Sequence, residues 1–144
     1  MNRNMEEIVG YQLGVVTHLL HNKYQSSLAE HDLTRAQLKV LYLLNKFGEQ
    51  SQLALSKKLF IQGSTMNGII ESMLKKNLIE KHESKEDRRS KLVTITSAGK
   101  ELEEKMWQRM LDSEEELLKG FSKEEIQIIH SFLKRMKANV QEEE

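Results

Sequence analysis

The 144-residue sequence contains no cysteine. That excludes a disulfide framework, a thiolate zinc site, a cysteine nucleophile and a thiol redox switch. It contains no proline either. Proline removes a backbone donor and clashes with the preceding turn, so its absence suits a chain made mostly of uninterrupted helix. No apolar run approaches the roughly 20 residues that a membrane span requires. Met1-Asn2-Arg3-Asn4 is polar where a signal peptide would carry its apolar region, so a cytoplasmic address is the expectation. There is no Gly-rich phosphate loop, nucleophile elbow or metal-ligand cluster, so neither an enzyme nor a cofactor is expected. His18 and His21 form a His-x-x-His pair on one helix, but spacing places no third or fourth ligand, and no metal site is assigned.

What is present is a soluble, globular composition, 31% charged and 38% hydrophobic, of a length that fits one domain. Lys plus Arg and Asp plus Glu each number 22, but the balance is uneven along the chain. Residues 51–100 hold ten basic side chains against five acidic, net +5, and residues 101–144 hold seven against twelve, net −5. A basic middle and an acidic tail suggest a polyanion-facing surface in the middle only, although solvated helix faces could produce the same split.

Residues from about 5 to 30 read as one long helix. Ile8, Tyr11, Val15 and Leu19 form one apolar stripe and Leu13, Val16, Leu20, Tyr24 and Leu28 another. Together they are wider than a single packing face needs, which fits burial against a second chain or a wrapped core. Leu33-Thr34-Arg35-Ala36-Gln37-Leu38 is a helix start, with Thr34 and Gln37 as a capping box and Leu33 and Leu38 as a hydrophobic staple. That helix runs to Phe47 and stops at Gly48. A short helix follows, about Ser51 to Leu59, then a brief link, then a helix from about residues 62–64 to Lys76. Met66, Ile69, Ile70 and Met73 share its apolar face. Two helices joined so closely form the helix-turn-helix pattern.

The period then changes from 3.6 to 2. Leu78–Glu83 and Lys91–Thr96 read as strands around the polar segment Ser84–Ser90. A helix-turn-helix followed by such a hairpin is a winged helix, so the expected fold is mainly α with a small β-hairpin wing. Thr96 or Ser97 caps a long helix to about Lys119, ended by Gly120. Ser122 with Glu125, and Phe121 with Ile126, mark a last helix carrying Ile126, Ile129, Phe132, Leu133 and Met136, with a frayed end at Glu142–Glu144.

The stretch Asp87-Arg88-Arg89-Ser90-Lys91-Leu92-Val93-Thr94-Ile95-Thr96-Ser97-Ala98-Gly99 resembles the wing signature of the MarR family of bacterial transcriptional regulators. That signature is an Asp-x-Arg followed by a strand ending Leu-Thr-x-x-Gly, with Ile95 here in place of the usual leucine. Leu33-Thr34 with Gln37 and Leu41 is similar to the start of the family's second helix, and Leu78-Ile79-Glu80-Lys81 to the strand after its recognition helix. The resemblance spans nearly the whole chain. It implies a single domain over residues 1–144, with a DNA-binding lobe at about 33–96 and a dimerisation lobe at about 5–30 and 97–141. The sequence departs from the family pattern at Asn77 (usually Gly), Ser56 (commonly Ala), Phe60 (commonly Gly) and Gln62, a poor N-cap.

The resemblance implies a homodimeric, sequence-specific DNA-binding regulator, most simply a ligand-responsive repressor on a palindromic double-stranded operator. Ser64, Thr65, Asn67 and Glu71 are the candidate base readers. Asn67 can pair bidentately with adenine and Glu71 can accept from cytosine N4, while Gly68 permits close backbone approach. Arg88 and Arg89 would reach a flanking minor groove, where narrow A·T-rich sequence concentrates negative potential. Asp87 is assigned to hold Arg89 or brace the wing. Lys57, Lys58, Lys75 and Lys91 are candidate phosphate contacts, as are the amides of Ser51 and Gln52 at a helix start. Ile8, Val15, Leu19, Ile126, Ile129, Phe132, Leu133 and Met136 are assigned to dimerisation. A small aromatic or phenolic effector is implied between the two lobes, with its pocket residues unassigned. Trp107 is read as packing or dimer contact. The alternative function is a winged helix used as a protein-interaction module without DNA.

Overall fold

The computed structural model describes residues 3–141; the expected frayed end at residues 142–144 lies outside them. A single 3-10 turn, Met5–Glu7, precedes α1 (Val9–Ala29). Continuous helix from residue 5 is therefore not formed. Asn4 Oδ1 accepts from the Glu6 amide at 3.1 Å and closes a local turn, and Ile8 is extended at φ −90°, so α1 nucleates afresh beyond it. The chain leaves α1 through a left-handed Asp32 (φ 50°), with the Leu33 amide donating to the Leu28 carbonyl at 3.0 Å.

α2 (Arg35–Phe47) begins as its sequence dictates. The Gln37 amide donates to Thr34 Oγ1 at 3.1 Å, and the Thr34 amide to Gln37 Oε1 at 3.2 Å. Two otherwise orphaned donors are satisfied at once. Gly48 ends α2 at φ 79°, a conformation open to glycine at little steric cost. Then come β1 (Gln50–Ser51), α3 (Gln52–Leu59), α4 (Gly63–Lys75), β2 (Ile79–Glu83), β3 (Lys91–Ile95), α5 (Ser97–Leu117) and α6 (Lys123–Val140).

The alternation predicts a two-stranded hairpin, but the sheet has three strands in the order β1-β3-β2. β2 and β3 pair antiparallel from Ile79 opposite Ile95 to Glu83 opposite Lys91, while Gln50 and Ser51 pair with Val93 and Leu92 on the other edge of β3. Two residues are too few to show a period of 2. The extra strand ties the start of α3 to the base of the wing.

Thr96, rather than Ser97, caps α5. Its Oγ1 accepts from the Gly99 amide at 3.0 Å and its hydroxyl donates to the Asn77 carbonyl at 2.7 Å. α5 stops at Leu117 rather than Lys119, and Gly120 (φ 88°) carries the turn. α6 has the expected capping box between Ser122 and Glu125.

The chain divides into two units, Met1–Met110 and Leu111–Glu144. The hydrophobic core belongs to the first. Val40, Leu41, Leu44, Leu55, Met66, Ile70, Met73, Val93 and Met106 are its most deeply buried side chains, joined by Leu33, Leu78 and Ile79. Contributions from α2, α3, α4, β2, β3 and α5 to one cluster set the pose of the helix-turn-helix and the base of the wing. Trp107 packs in this unit, stacked on Tyr42 with centroids 5.5 Å apart and planes 5° from parallel. The second unit holds the end of α5 and α6, on which Ile126 and Ile129 are half-buried. Phe132, Leu133 and Met136 are exposed there.

Candidate nucleic-acid interface

α3 hands over to α4 through Phe60, Ile61 and Gln62. Phe60 adopts the left-handed conformation (φ 55°) that glycine would take without strain, and the Ile61 amide donates to the Ser56 carbonyl at 3.0 Å. Asn77 is left-handed as well (φ 57°), which asparagine tolerates. Gln62 makes no side-chain cap, so no side chain competes for the first amides of α4.

α4 has two sharply different faces. Met66, Ile70 and Met73 are buried, while Ser64, Thr65, Asn67, Gly68, Glu71 and Lys75 are all exposed on the opposite side. This is the division expected from the apolar spacing. Gln52 Nε2 donates to Asn67 Oδ1 at 3.3 Å, so α3 supports one of the candidate readers. On the inner side, the buried Gln37 donates from Nε2 to Ser72 Oγ at 3.1 Å and accepts from Lys76 Nζ at 3.0 Å. Lys76 also reaches the Asp32 carbonyl and the Asp32 carboxylate. The capping box of α2 is thereby joined to the last turns of α4. Residue spacing gave no hint of either cross-helix contact.

The wing tip is organised by Asp87. Its Oδ1 accepts from the Arg89 amide at 2.9 Å, and its Oδ2 from Ser90 Oγ at 3.4 Å. Ser84 Oγ accepts from the Glu86 and Asp87 amides, and the Ser84 amide donates to the Ser90 carbonyl at 3.0 Å. The brace therefore runs through backbone, not through the Arg89 guanidinium. Among the described residues neither Arg88 nor Arg89 is paired with a carboxylate, and both are exposed. A small acid at the loop's pivot leaves two cations facing outward.

The other assigned residues fall less uniformly. Lys75 is exposed beside the α4 face. Lys91 pairs with Glu83 across the hairpin at 3.2 Å, so part of its charge is already met within the wing. Ser51 is half-buried in β1 and its hydroxyl caps α3 through the Ala54 amide at 3.0 Å. Lys58 donates to Gln50 Oε1 at 2.8 Å and lies 5.0 Å from the Phe47 ring centre. On α1, Ile8 and Leu19 are 56% and 62% exposed and Val15 is half-buried. His18 Nε2 lies 3.2 Å from Asn22 Nδ2. Among the described residues no three potential ligands cluster as a metal site, and none of the helices is long and apolar enough to cross a membrane.

Residues 33–91, the segment that holds the helix-turn-helix and most of the wing, match the model of the MarR family. The chain carries a MarR-family winged helix-turn-helix domain. The chain is 28% identical over 135 residues to the uncharacterized HTH-type transcriptional regulator YxaD of Bacillus subtilis, covering 94% of each. Its structure is similar to that of Bordetella bronchiseptica BpsR, whose DNA binding is regulated by 6-hydroxynicotinic acid. The TM-score is 0.86 at 27% identity, over 95% of this chain and 98% of that one. It shares its fold with a mutant of E. coli MarR complexed with operator DNA, with a TM-score of 0.83 at 23% identity, over 94% and 99% of the two chains.

Proposed function

We propose that this MarR-family chain regulates transcription by binding a specific DNA operator as a homodimer. It would act as a repressor that a small ligand releases. The observation that carries the reading is the pairing of two outward-facing surfaces: the exposed polar face of α4 and the two arginines that Asp87 leaves free at the wing tip. A helix of this diameter fits the major groove, where base edges carry a full donor–acceptor code. Asn67, steadied by Gln52, suits an adenine edge, and Glu71 suits cytosine N4. Ser64 and Thr65 reach base edges or phosphates, and Gly68 lets the backbone come close. Arg88 and Arg89 enter the neighbouring minor groove. Lys75, and Lys91 to the extent that Glu83 releases it, position the complex on phosphate rather than specify sequence.

One such module makes few contacts. Two recognition helices about 34 Å apart read two half-sites of a palindrome, which is why a twofold pair is required. Ile8, Val15 and Leu19 of α1 supply the pairing surface, with Ile126, Ile129, Phe132, Leu133 and Met136 of α6. Most of these large apolar side chains are exposed in the single chain. The resemblance that implies the dimer also implies a small aromatic or phenolic effector. A DNA partner places the protein in the cytoplasm.

The test is selection of bound duplexes from a random pool, then anisotropy titration with Arg89→Ala. Wild type should select a short palindrome and lose affinity steeply with salt. The variant should remain a folded dimer with operator binding lost. Wild-type affinity in the variant would overturn the wing assignment. Salt-independent indifference to every duplex would favour the protein-interaction alternative.

A further inference from the structure

The first unit contains a cleft of about 510 Å³ where the end of α1, the start of α2 and the α3–α4 turn meet. Its apolar wall is wholly aliphatic, formed by Leu28, Leu33, Leu59 and Ile61, and no aromatic ring lines it. Arg35 and Lys39 also line it, and no acidic side chain does. Gln25 Oε1 accepts from Arg35 Nη1 at 3.1 Å and steadies the guanidinium. Lys39 has no ion-pair partner among the described residues. Arg35 has none either. His21, on α1, is held below the ordinary imidazole range by burial first and then by Arg35, Lys39 and His18.

An aliphatic wall beside two unopposed cations selects for a particular chemistry. A flat aromatic ligand finds nothing to stack on, a neutral one leaves the cations unused, and a bare anion leaves the apolar wall wet. We propose that this cleft binds a short aliphatic carboxylate, with the carboxylate held by Arg35 and Lys39 and the chain laid along Leu28, Leu33, Leu59 and Ile61. Its volume is within the range of small-molecule sites, roughly 300–1,000 Å³.

Two structural links carry occupancy to α4. Ile61 belongs to the turn between α3 and α4, so a chain packed against it bears on that turn. Thr34, also in the lining, closes the capping box with Gln37, and the Gln37 side chain bonds Ser72 and Lys76 at the far end of α4. A ligand that shifts the start of α2 thus shifts the helix that reads DNA. This coupling rests on the proposed DNA function; the binding site itself does not.

The test begins without DNA. The full chain is titrated calorimetrically with butyrate, hexanoate, octanoate and octanamide. Octanoate should bind saturably, with affinity rising about fourfold per added methylene along the series. Octanamide should bind about tenfold more weakly, as should octanoate to Lys39→Met and to Arg35→Gln, the scale of one lost charge-assisted hydrogen bond. Lys39→Arg should restore binding. Both cations are exposed, and circular dichroism melts matching wild type confirm that the variants fold. No saturable binding, octanamide equal to octanoate, or undiminished binding in both neutral variants would each overturn the site. A second arm adds the selected duplex. Octanoate should release it from wild type and not from Lys39→Met, and binding without release would overturn the coupling. A chain that ignores every duplex would refute the DNA function and leave the calorimetry to decide the site.

Discussion

Replacing Gly99 by alanine should destabilise the protein by about 2 kcal/mol, although alanine is the better helix former. A Cβ at this position would stand 2.1 Å from the Leu78 carbonyl oxygen and 2.9 Å from Ile95 Cγ1. Ile95 can yield by changing rotamer. The carbonyl cannot, because it accepts the Thr96 amide at 3.1 Å while the Leu78 amide donates to the Met73 carbonyl at 3.1 Å. Ordinary contact begins at 3.4 Å, so the first turn of α5 must retreat from the base of β2 by more than an ångström. Overpacking of this kind costs roughly 1–3 kcal/mol, and a strained Thr96–Leu78 hydrogen bond adds about 1 kcal/mol. Alanine's helix propensity offsets about 1 kcal/mol. Gly68→Ala is the control: it lies mid-helix with nothing within 4 Å of the added Cβ, and should stabilise by about 0.5–1 kcal/mol. Urea denaturation followed by circular dichroism, at one fixed chain concentration because dimerisation would shift the midpoint, reads both. A Gly99→Ala midpoint at or above wild type would refute the close approach of α5 to the strand.

Three further perturbations address the site and its supports. Asp87→Ala removes the acceptors for the Arg89 amide and the Ser90 hydroxyl. Operator affinity should fall about tenfold with the melt nearly unchanged, the scale of disordering one positioned contact, and anisotropy titration equal to wild type would show that the brace is dispensable. Leu19→Glu and Phe132→Glu each place a charge on an exposed apolar face, of α1 and α6 respectively. Each should convert the pair to monomers in sedimentation velocity and abolish palindrome binding. Glu125 is held below the ordinary carboxylate range by its hydrogen bonds to the Ser122 amide and then the Ser122 hydroxyl. Its folded pKa is depressed, so its contribution to α6 is present above the unfolded-state value and lost as pH falls through the folded value. Glu125→Gln should flatten the acid limb of a pH–stability curve, and an unchanged limb would count against the capping role.

Much of the fold is legible along the chain because it is local. Thr34 with Gln37 and Ser122 with Glu125 are reciprocal hydrogen bonds three residues apart, so the helix starts can be read directly. Gly48, Asn77 and Gly120 adopt left-handed backbone where a turn was expected. The exposed face of α4 follows from the spacing of Met66, Ile70 and Met73. The first helix starts later than its apolar spacing implies, because that spacing does not register the local cap at Asn4. β1 has no signal of its own, because a two-residue strand is defined only by its partner.

Where the helices begin, which side of α4 faces outward, and the two arginines that follow an acid in a hairpin turn can all be read along the chain. Each depends on residues within a turn or two of one another. Packing in three dimensions is what brings Gln52 to Asn67, Gln37 across to Ser72 and Lys76, and Arg35 and Lys39 into a cleft with the α3–α4 turn. Those contacts join residues up to tens of positions apart, and they exist because one buried cluster, drawn from α2 through α5, holds these elements close enough for side chains to meet.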